Sequence, residues 1–371
     1  MASRRWTTAL PLLLVLVLLC AAGCGGSSHK KCTTKGTEYV FTAIPQSGQQ
    51  VTPAGMKAAR RVINGRLALL PGFGLNATVR GSGQIVLHLP AGSGHTAKTA
   101  ALATSTGQLQ IFDLEADLAP PTVKNGNPTP YATLDSLLSA VRSEAKSGRP
   151  EAYYLFDAKH AVEQGPDPTR SLLLRPYGGK QPAGTQVLVV PANREVVSGQ
   201  ISPTTHSVGH SASGIYWYLF KYFPHAANGP PEVADQDLVH SKINGATDPR
   251  SGTPVVQLAF TKHGAQEFQQ ITKAEWQRGR KFAGRAGHAG QAQYLPDYVQ
   301  HSAIVLDGAL QSTPYIDYMQ TALSHGVSGR FVTISMVAEG GTAAKDIAFV
   351  LRGGALPYSF KQVGRTPICA P

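Results

Sequence analysis

Residues 10–19, LPLLLVLVLL, are the one unbroken apolar run of any length near the N-terminus. Nothing later approaches the roughly 18 apolar residues that a membrane-spanning helix needs. The rest of the chain is therefore expected to build its core in water, from alternating strands and amphipathic helices. Composition agrees: of 371 residues, 42% are hydrophobic and 15% charged, a balance that buries a core and argues against disorder. The length allows two or three domains. The formal charge is +12; without the first 23 residues, which carry Arg4 and Arg5 and no acid, it is +10. That charge favours acidic surfaces, anionic headgroups or extended polypeptides as neighbours. No basic helix or aromatic RNA-binding motif is present, so nucleic acid is not an expected partner.

Arg4 and Arg5 precede the apolar run, and Cys20-Ala21-Ala22-Gly23-Cys24 follows it. Small residues before a Cys at that place resemble a bacterial lipoprotein signal. The expectation is a signal peptide over 1–23, Cys24 as the lipidated residue, and a Gly/Ser tether over 24–36. Ala21 stands where Leu is usual; the alternatives are an ordinary secretory signal cut near Ala22 or an uncleaved anchor. The expected location is the cell membrane, lipid-anchored on the extracytoplasmic face. Cys20 would leave with the signal, so Cys32 and Cys369 remain, and outside the cytoplasm they can form a disulfide. The alternative is two free thiols; two cysteines alone make no zinc site.

Along the mature chain, GTEYVFTAI (36–44) alternates as a strand, and Met56, Ala59, Ile63 and Leu67 recur at helical spacing after Thr52-Pro53. LNATVR and QIVLHLP flank Gly81-Ser82-Gly83 as a hairpin. HTAKTAALATS (95–105) reads as a helix and QLQIFDLE (108–115) as a strand. The order is βαββαβ, a ferredoxin-like unit over 37–115. A linker and the helix TLDSLLSAVRSEAKS follow, then β-rich pieces: AYYLFD, SLLLRP, TQVLVVP and GIYWYLFKYF. PVVQLAF (254–260) is a strand, HGAQEFQQITKAEW (263–276) a helix, and RGRKFAGRAGHAGQAQ (278–293) reads as a loop. HSAIVLDGALQSTPYIDY (301–318) is a hairpin turning at Asp307-Gly308. The fold class is α+β: a ferredoxin-like base, a β-rich insertion over 116–214, a second α+β head over 215–354, and a returning strand and tail over 355–371.

Chemistry-bearing patterns are weak. Gly209-His210-Ser211-Ala212-Ser213 lacks the last Gly of a nucleophile elbow and has no strand–helix frame. His206 and His210 have no carboxylate beside them. The Gly-rich pieces lack the Gly-Lys-Ser/Thr ending of a phosphate loop. No catalytic residue, metal or cofactor is expected, and the chain reads as a non-enzyme. Tyr216, Trp217, Tyr218 and Phe220 offer two readings, a polypeptide-binding surface or a strand buried on both faces.

PVVQLAFTKHGAQEFQQIT, AIVLDGALQSTPYI and IAFVLRGGALPYSFKQV resemble the extracytoplasmic region of SecD, the protein-export membrane subunit. The elements are Phe268, Thr272, Asp307, Gly308, Pro314, Leu351, Arg352, Gly354, Ala355, Leu356 and Pro357. The segment from AARRVINGRLALL to GQLQIFDLE is similar to the family's base. The likeness covers about 37–115 and 215–363, in the same order. It implies a preprotein-handling head on a ferredoxin-like base, with unfolded or emerging secreted polypeptides and Sec translocon subunits as partners. The family's membrane helices, and the ionisable residues within them, have no counterpart here, so proton-driven pulling is not expected of this chain alone. The implied role is an export-accessory lipoprotein. The alternatives are an envelope module that binds another protein or a wall polymer and, least favoured, an envelope hydrolase.

Overall fold

The computed structural model describes residues 34–45, 50–71, 74–92, 94, 96–118, 123–124, 127–128, 131, 134–145, 151–158, 162–191, 194–199, 216–221, 232–335 and 343–369. The signal, Cys24 and Cys32 fall outside them, and with them the lipid anchor and the Cys32–Cys369 pairing.

The first layer is a four-stranded antiparallel sheet in the order Ser359–Cys369, Thr34–Ile44, Gln84–Pro90, Asn76–Arg80. The helices Pro53–Leu67 and Ala97–Thr104 pack on one face. The first helix starts where the sequence says it should: Thr52 accepts from the Gly55 N–H at 3.1 Å, and Pro53 occupies the first turn. Met56, Ala59, Ile63 and Leu67 meet Tyr39, Phe41, Ile85 and Leu87 in the core. Burial of a large side chain such as Ile63 or Leu87 contributes roughly 1.5–3 kcal/mol.

One expected strand lies elsewhere. Leu109–Asp113 does not close this sheet; the C-terminal strand Ser359–Cys369 does. All five residues of Leu109–Asp113 are buried, including Gln110 and Asp113, so the segment needs cover on both faces. It finds that in a seven-stranded sheet, ordered Tyr216–Lys221, Arg194–Gly199, Ala309–Ser312, Gln300–Leu306, Leu109–Asp113, Val233–Ala234, with Tyr315–Ile316 pairing Gln300–Leu306 off that path. The eleven-residue C-terminal strand offers a far longer ladder to Thr34–Ile44, and long-range pairing wins over sequence proximity.

Two three-stranded sheets, Val162–Asp167, Glu151–Phe156, Gln186–Pro191 and Asn244–Thr247, Pro254–Ala259, Phe331–Ser335, and a two-stranded pair, Val123–Lys124 with Asn127–Pro128, complete the described sheets. SLLLRP, read from the sequence as extended, forms a short helix over Arg170–Leu174 and a following 3-10 turn. Thr169 caps it, accepting from the Leu172 N–H at 3.2 Å; a short apolar run does not distinguish helix from strand, and the cap decides. The helix expected over 263–276 runs on to Arg285, through the first half of the basic segment read as a loop. Gly279 is tolerated inside it because the helix packs closely there: an added Cβ would lie 2.6 Å from the Tyr298 carbonyl oxygen. The Asp307-Gly308 turn is as expected, with φ of 52° and 73°.

Candidate functional site

The junction between the first sheet layer and the rest is built around Arg66. This side chain, on the first helix, is fully buried. Its guanidinium donates to the carbonyls of Ala103 at 3.1 Å, Ser105, Thr106 at 3.4 Å and, across the junction, Gly354 at 2.7 Å. It thereby satisfies carbonyls left open at the end of the helix Ala97–Thr104. Burial lowers its pKa to about 10, with Asp307 and Asp235 acting the other way. A Cβ on Gly107 or Gly353 would sit 2.3 Å from Arg66 atoms, so both positions stay open for its passage. Asp307 adds a second tie: it accepts from the Gln108 N–H at 2.8 Å and from the Ser105 hydroxyl. Leu356 N–H donates to the Thr106 carbonyl at 2.7 Å. His240 Nδ1 lies 2.8 Å from the Leu351 carbonyl, and its Nε2 3.6 Å from Asp235. Asp307 is thus both the turn residue the sequence suggests and a cross-link to the linker 105–108.

Beneath the long helix Lys262–Arg285 lies a buried polar network that sequence reasoning missed. Arg278 pairs with Asp113 and lies 4.0 Å from Glu115. Glu115 receives the His301 N–H at 2.8 Å and faces its Nδ1 at 2.7 Å. Ser302 donates to Glu275 at 2.9 Å, and Asp117 accepts from the Asp113 N–H at 3.1 Å. Asp113, Glu115, Asp117, Glu275, His301 and Ser302 are all buried. Asp113, Asp117 and Glu275 are buried close together, and this low-dielectric space disfavours their charged forms. Burial, with Asp113 and Glu115 adding, pushes Glu275 well above the carboxylate range. Burial, then Asp113, raises Asp117 to about 7. Nearby, burial raises Glu195 and Glu232 to about 7 each, partly offset by hydrogen bonding from Gln110. The sequence signal was present but diffuse: isolated acids inside apolar runs, such as Asp113 in QLQIFDLE and Glu275 beside Trp276.

The exposed feature of this region is the strand Phe331–Ser335. Among the described residues its strand partner is Pro254–Ala259 on one side only, leaving the other edge free of a strand, with the Ser335 carbonyl accepting from the Ser312 hydroxyl at 2.7 Å. Val332 and Ile334 point inward, while Phe331, Thr333 and Ser335 are exposed. Phe331 is 54% exposed, with the Lys242 ammonium 5.9 Å from its ring centroid. An edge of this kind can accept an extended chain through main-chain hydrogen bonds, with a large apolar ring for contact.

Tyr216, Trp217, Tyr218 and Phe220 lie together on one strand of the seven-stranded sheet, and all four are buried. Phe220 stacks on Phe112 with centroids 4.9 Å apart. The rings are packed inside, as in the buried-strand reading. The stretch alternates onto two cores, Trp217 on one side and Tyr216, Tyr218 and Phe220 on the other, which accounts for aromatics at successive positions. His206, His210 and Ser211 lie outside the described residues. Among the described residues, no group of three or more His, Cys, Asp or Glu side chains is placed to hold a metal ion, and no helix is long and apolar enough to cross a membrane.

Residues 230–358 match the family model described as SecDF, P1 head subdomain. This segment contains the free edge, the Asp307 turn and the Leu351–Leu356 side of the junction. Over 133 residues the chain is 30% identical to the protein translocase subunit SecDF of Thermus thermophilus. That stretch is 36% of this chain and spans 14% of the length of that relative. A crystal structure of SecDF in a super-membrane-facing form shares 17% identity over 89% of this chain and 30% of that one, with a TM-score of 0.44. A structure described as that of a membrane component SecDF that enhances protein export shares 17% identity over 89% of this chain and 100% of that one, with a TM-score of 0.43.

Proposed function

We propose that this chain is a SecD-like extracytoplasmic accessory lipoprotein that assists protein export by holding emerging polypeptides, with no proton-driven or enzymatic activity of its own. The observation that carries the reading is the free, aromatic-bearing edge strand Phe331–Ser335 inside the segment that matches the SecDF P1 head. Main-chain pairing at an edge is tolerant of sequence, as handling of many secreted chains requires. In this reading the first sheet layer is a ferredoxin-like base whose fourth strand is the returning C-terminal segment, the lipid on Cys24 holds the base at the membrane, and Sec translocon subunits are neighbours.

A chain-handling subunit must release each segment, so binding is weak, with Kd in the micromolar range or about −8 kcal/mol. The test is a titration of reduced, unfolded secretory proteins against the full chain in detergent, with their folded forms as control. Micromolar binding to the unfolded forms alone, weakened by Phe331→Asp, is the expected result. Equal binding to folded and unfolded forms removes the reading.

A second reading is an envelope module that reuses the head to bind another protein or a wall polymer. The three-stranded sheet Val162–Asp167, Glu151–Phe156, Gln186–Pro191 favours it, because this unit has its own core around Leu155, Leu173 and Leu174 and lies outside the matched segment. Cross-linking in the native envelope separates the two: translocon subunits and nascent chains support the first, wall-associated partners the second.

A further inference from the structure

A cleft of about 350 Å³ opens where the helices of the first layer meet the helix Ala343–Arg352. Its apolar walls are Leu69, Leu102 and Phe349, and its cations are Lys98, Lys345 and Arg352. Leu69 is 39% exposed although it is a large aliphatic residue. Lys345 and Arg352 are exposed at helical spacing on one face, and Lys98 comes from the facing helix. The single carboxylate in the cleft, Asp346, reaches across it to Lys98 at 2.6 Å. Three cations against one acid leave the cleft two positive charges in excess.

We infer that this cleft docks an acidic, apolar-flanked segment of a partner polypeptide, with Asp346 holding the anionic place on Lys98 until a carboxylate of the partner takes it. The apolar walls and the cations are interleaved, so the occupant must present an apolar side chain beside an acid. A peptide does that between neighbouring residues. A flat lipid surface fits less well, because the cleft is walled from two sides by different layers. The Lys98–Asp346 pair is open to solvent, with 60% of the Lys98 side chain and 28% of the Asp346 side chain accessible, so exchanging one carboxylate for another changes little in stability. The inference rests on the polypeptide-handling reading for the nature of its occupant, but at a separate surface from the edge strand.

The experiment measures binding of the full chain to a peptide alternating Asp and Leu, to its Lys/Leu counterpart, and to phosphatidylglycerol vesicles. The Asp/Leu peptide should bind more tightly than the Lys/Leu peptide, and salt should weaken it. Asp346→Asn should strengthen that binding roughly two- to fivefold, the worth of an exposed ion pair. Lys98→Glu with Arg352→Glu should weaken it by roughly tenfold, with an unchanged melting temperature as the control for folding. Equal affinity for the two peptides, or indifference to both sets of substitutions, overturns the inference. Vesicle binding lost in the double variant, with no peptide binding, overturns it in favour of a lipid occupant. If unfolded secretory proteins bind while the acidic peptide does not, the docking site fails and the proposed function stands. If neither binds, the proposed function fails as well.

Discussion

The buried acids predict that this protein is more stable in mild acid than in base, and Asp117 gives the magnitude. Asp117 is 4% exposed and accepts from the Asp113 N–H at 3.1 Å. Burial, then the neighbouring Asp113, raises it from 3.8 to about 7, against the pull of Lys221 and Arg278. The folded state therefore binds this proton more tightly than the unfolded chain does. Its stabilisation is complete below about pH 4 and is lost as pH rises through about 7. The full difference is roughly 4 kcal/mol at about 1.4 kcal/mol per pH unit, and somewhat more than half of it disappears between pH 5 and 8. Asn keeps an acceptor for the Asp113 N–H and cannot ionise. Asp117→Asn should therefore match the wild type below about pH 4, exceed it by roughly 1–2 kcal/mol at pH 5 and by roughly 4 kcal/mol at pH 8. Urea unfolding at pH 5, 6, 7 and 8, followed by the fluorescence of the buried Trp217 and Trp276, reads this directly. Glu195 and Glu232, also raised to about 7, slope the same way and persist in the variant, so the slope should shrink without vanishing. Wild-type stability that rises from pH 5 to 8, or a variant whose slope equals the wild type's, refutes the reasoning.

Three further outcomes are expected. Cys24→Ser should release the protein from membranes or leave it unprocessed; absence of fatty-acid label on the wild type would sink the anchor. Non-reducing mass spectrometry of the mature protein should show Cys32 joined to Cys369, a link worth roughly 4–5 kcal/mol in the chain-entropy account for so long a loop, and two free thiols in freshly isolated envelope would refute it. Arg66→Leu should destabilise the protein by several kcal/mol, because the buried Ala103 and Gly354 carbonyls lose their donor at roughly 1–3 kcal/mol each; a change in unfolding free energy below about 1 kcal/mol would show that the junction is held by other contacts.

What the sequence made legible was local. Thr52-Pro53 marks a helix start because capping is decided within three residues, and Asp307-Gly308 marks a turn because few residues accept a left-handed backbone. What it concealed was long-range. QLQIFDLE reads as a strand from its own residues, but nothing in it says which sheet it joins; that choice depends on Ser359–Cys369, more than 240 positions away, and on cover for Asp113 supplied by Arg278. The partners of the buried acids were hidden for the same reason. Glu275 and Glu115 look like ordinary surface charges until Ser302 and His301 are brought to them from another strand. The aromatic stretch shows the complementary limit. Composition says that Tyr216, Trp217, Tyr218 and Phe220 prefer apolar surroundings, and only the fold says that those surroundings are two protein cores. Phe331 carries the same composition signal as Phe220 and ends half in solvent: both strands lie at the edge of a sheet, but Tyr216–Lys221 is covered by a core on each face, whereas Phe331 lies on the uncovered face of its sheet. The proposed function uses that distinction: under it, the ring left in solvent is the one an extended polypeptide can reach.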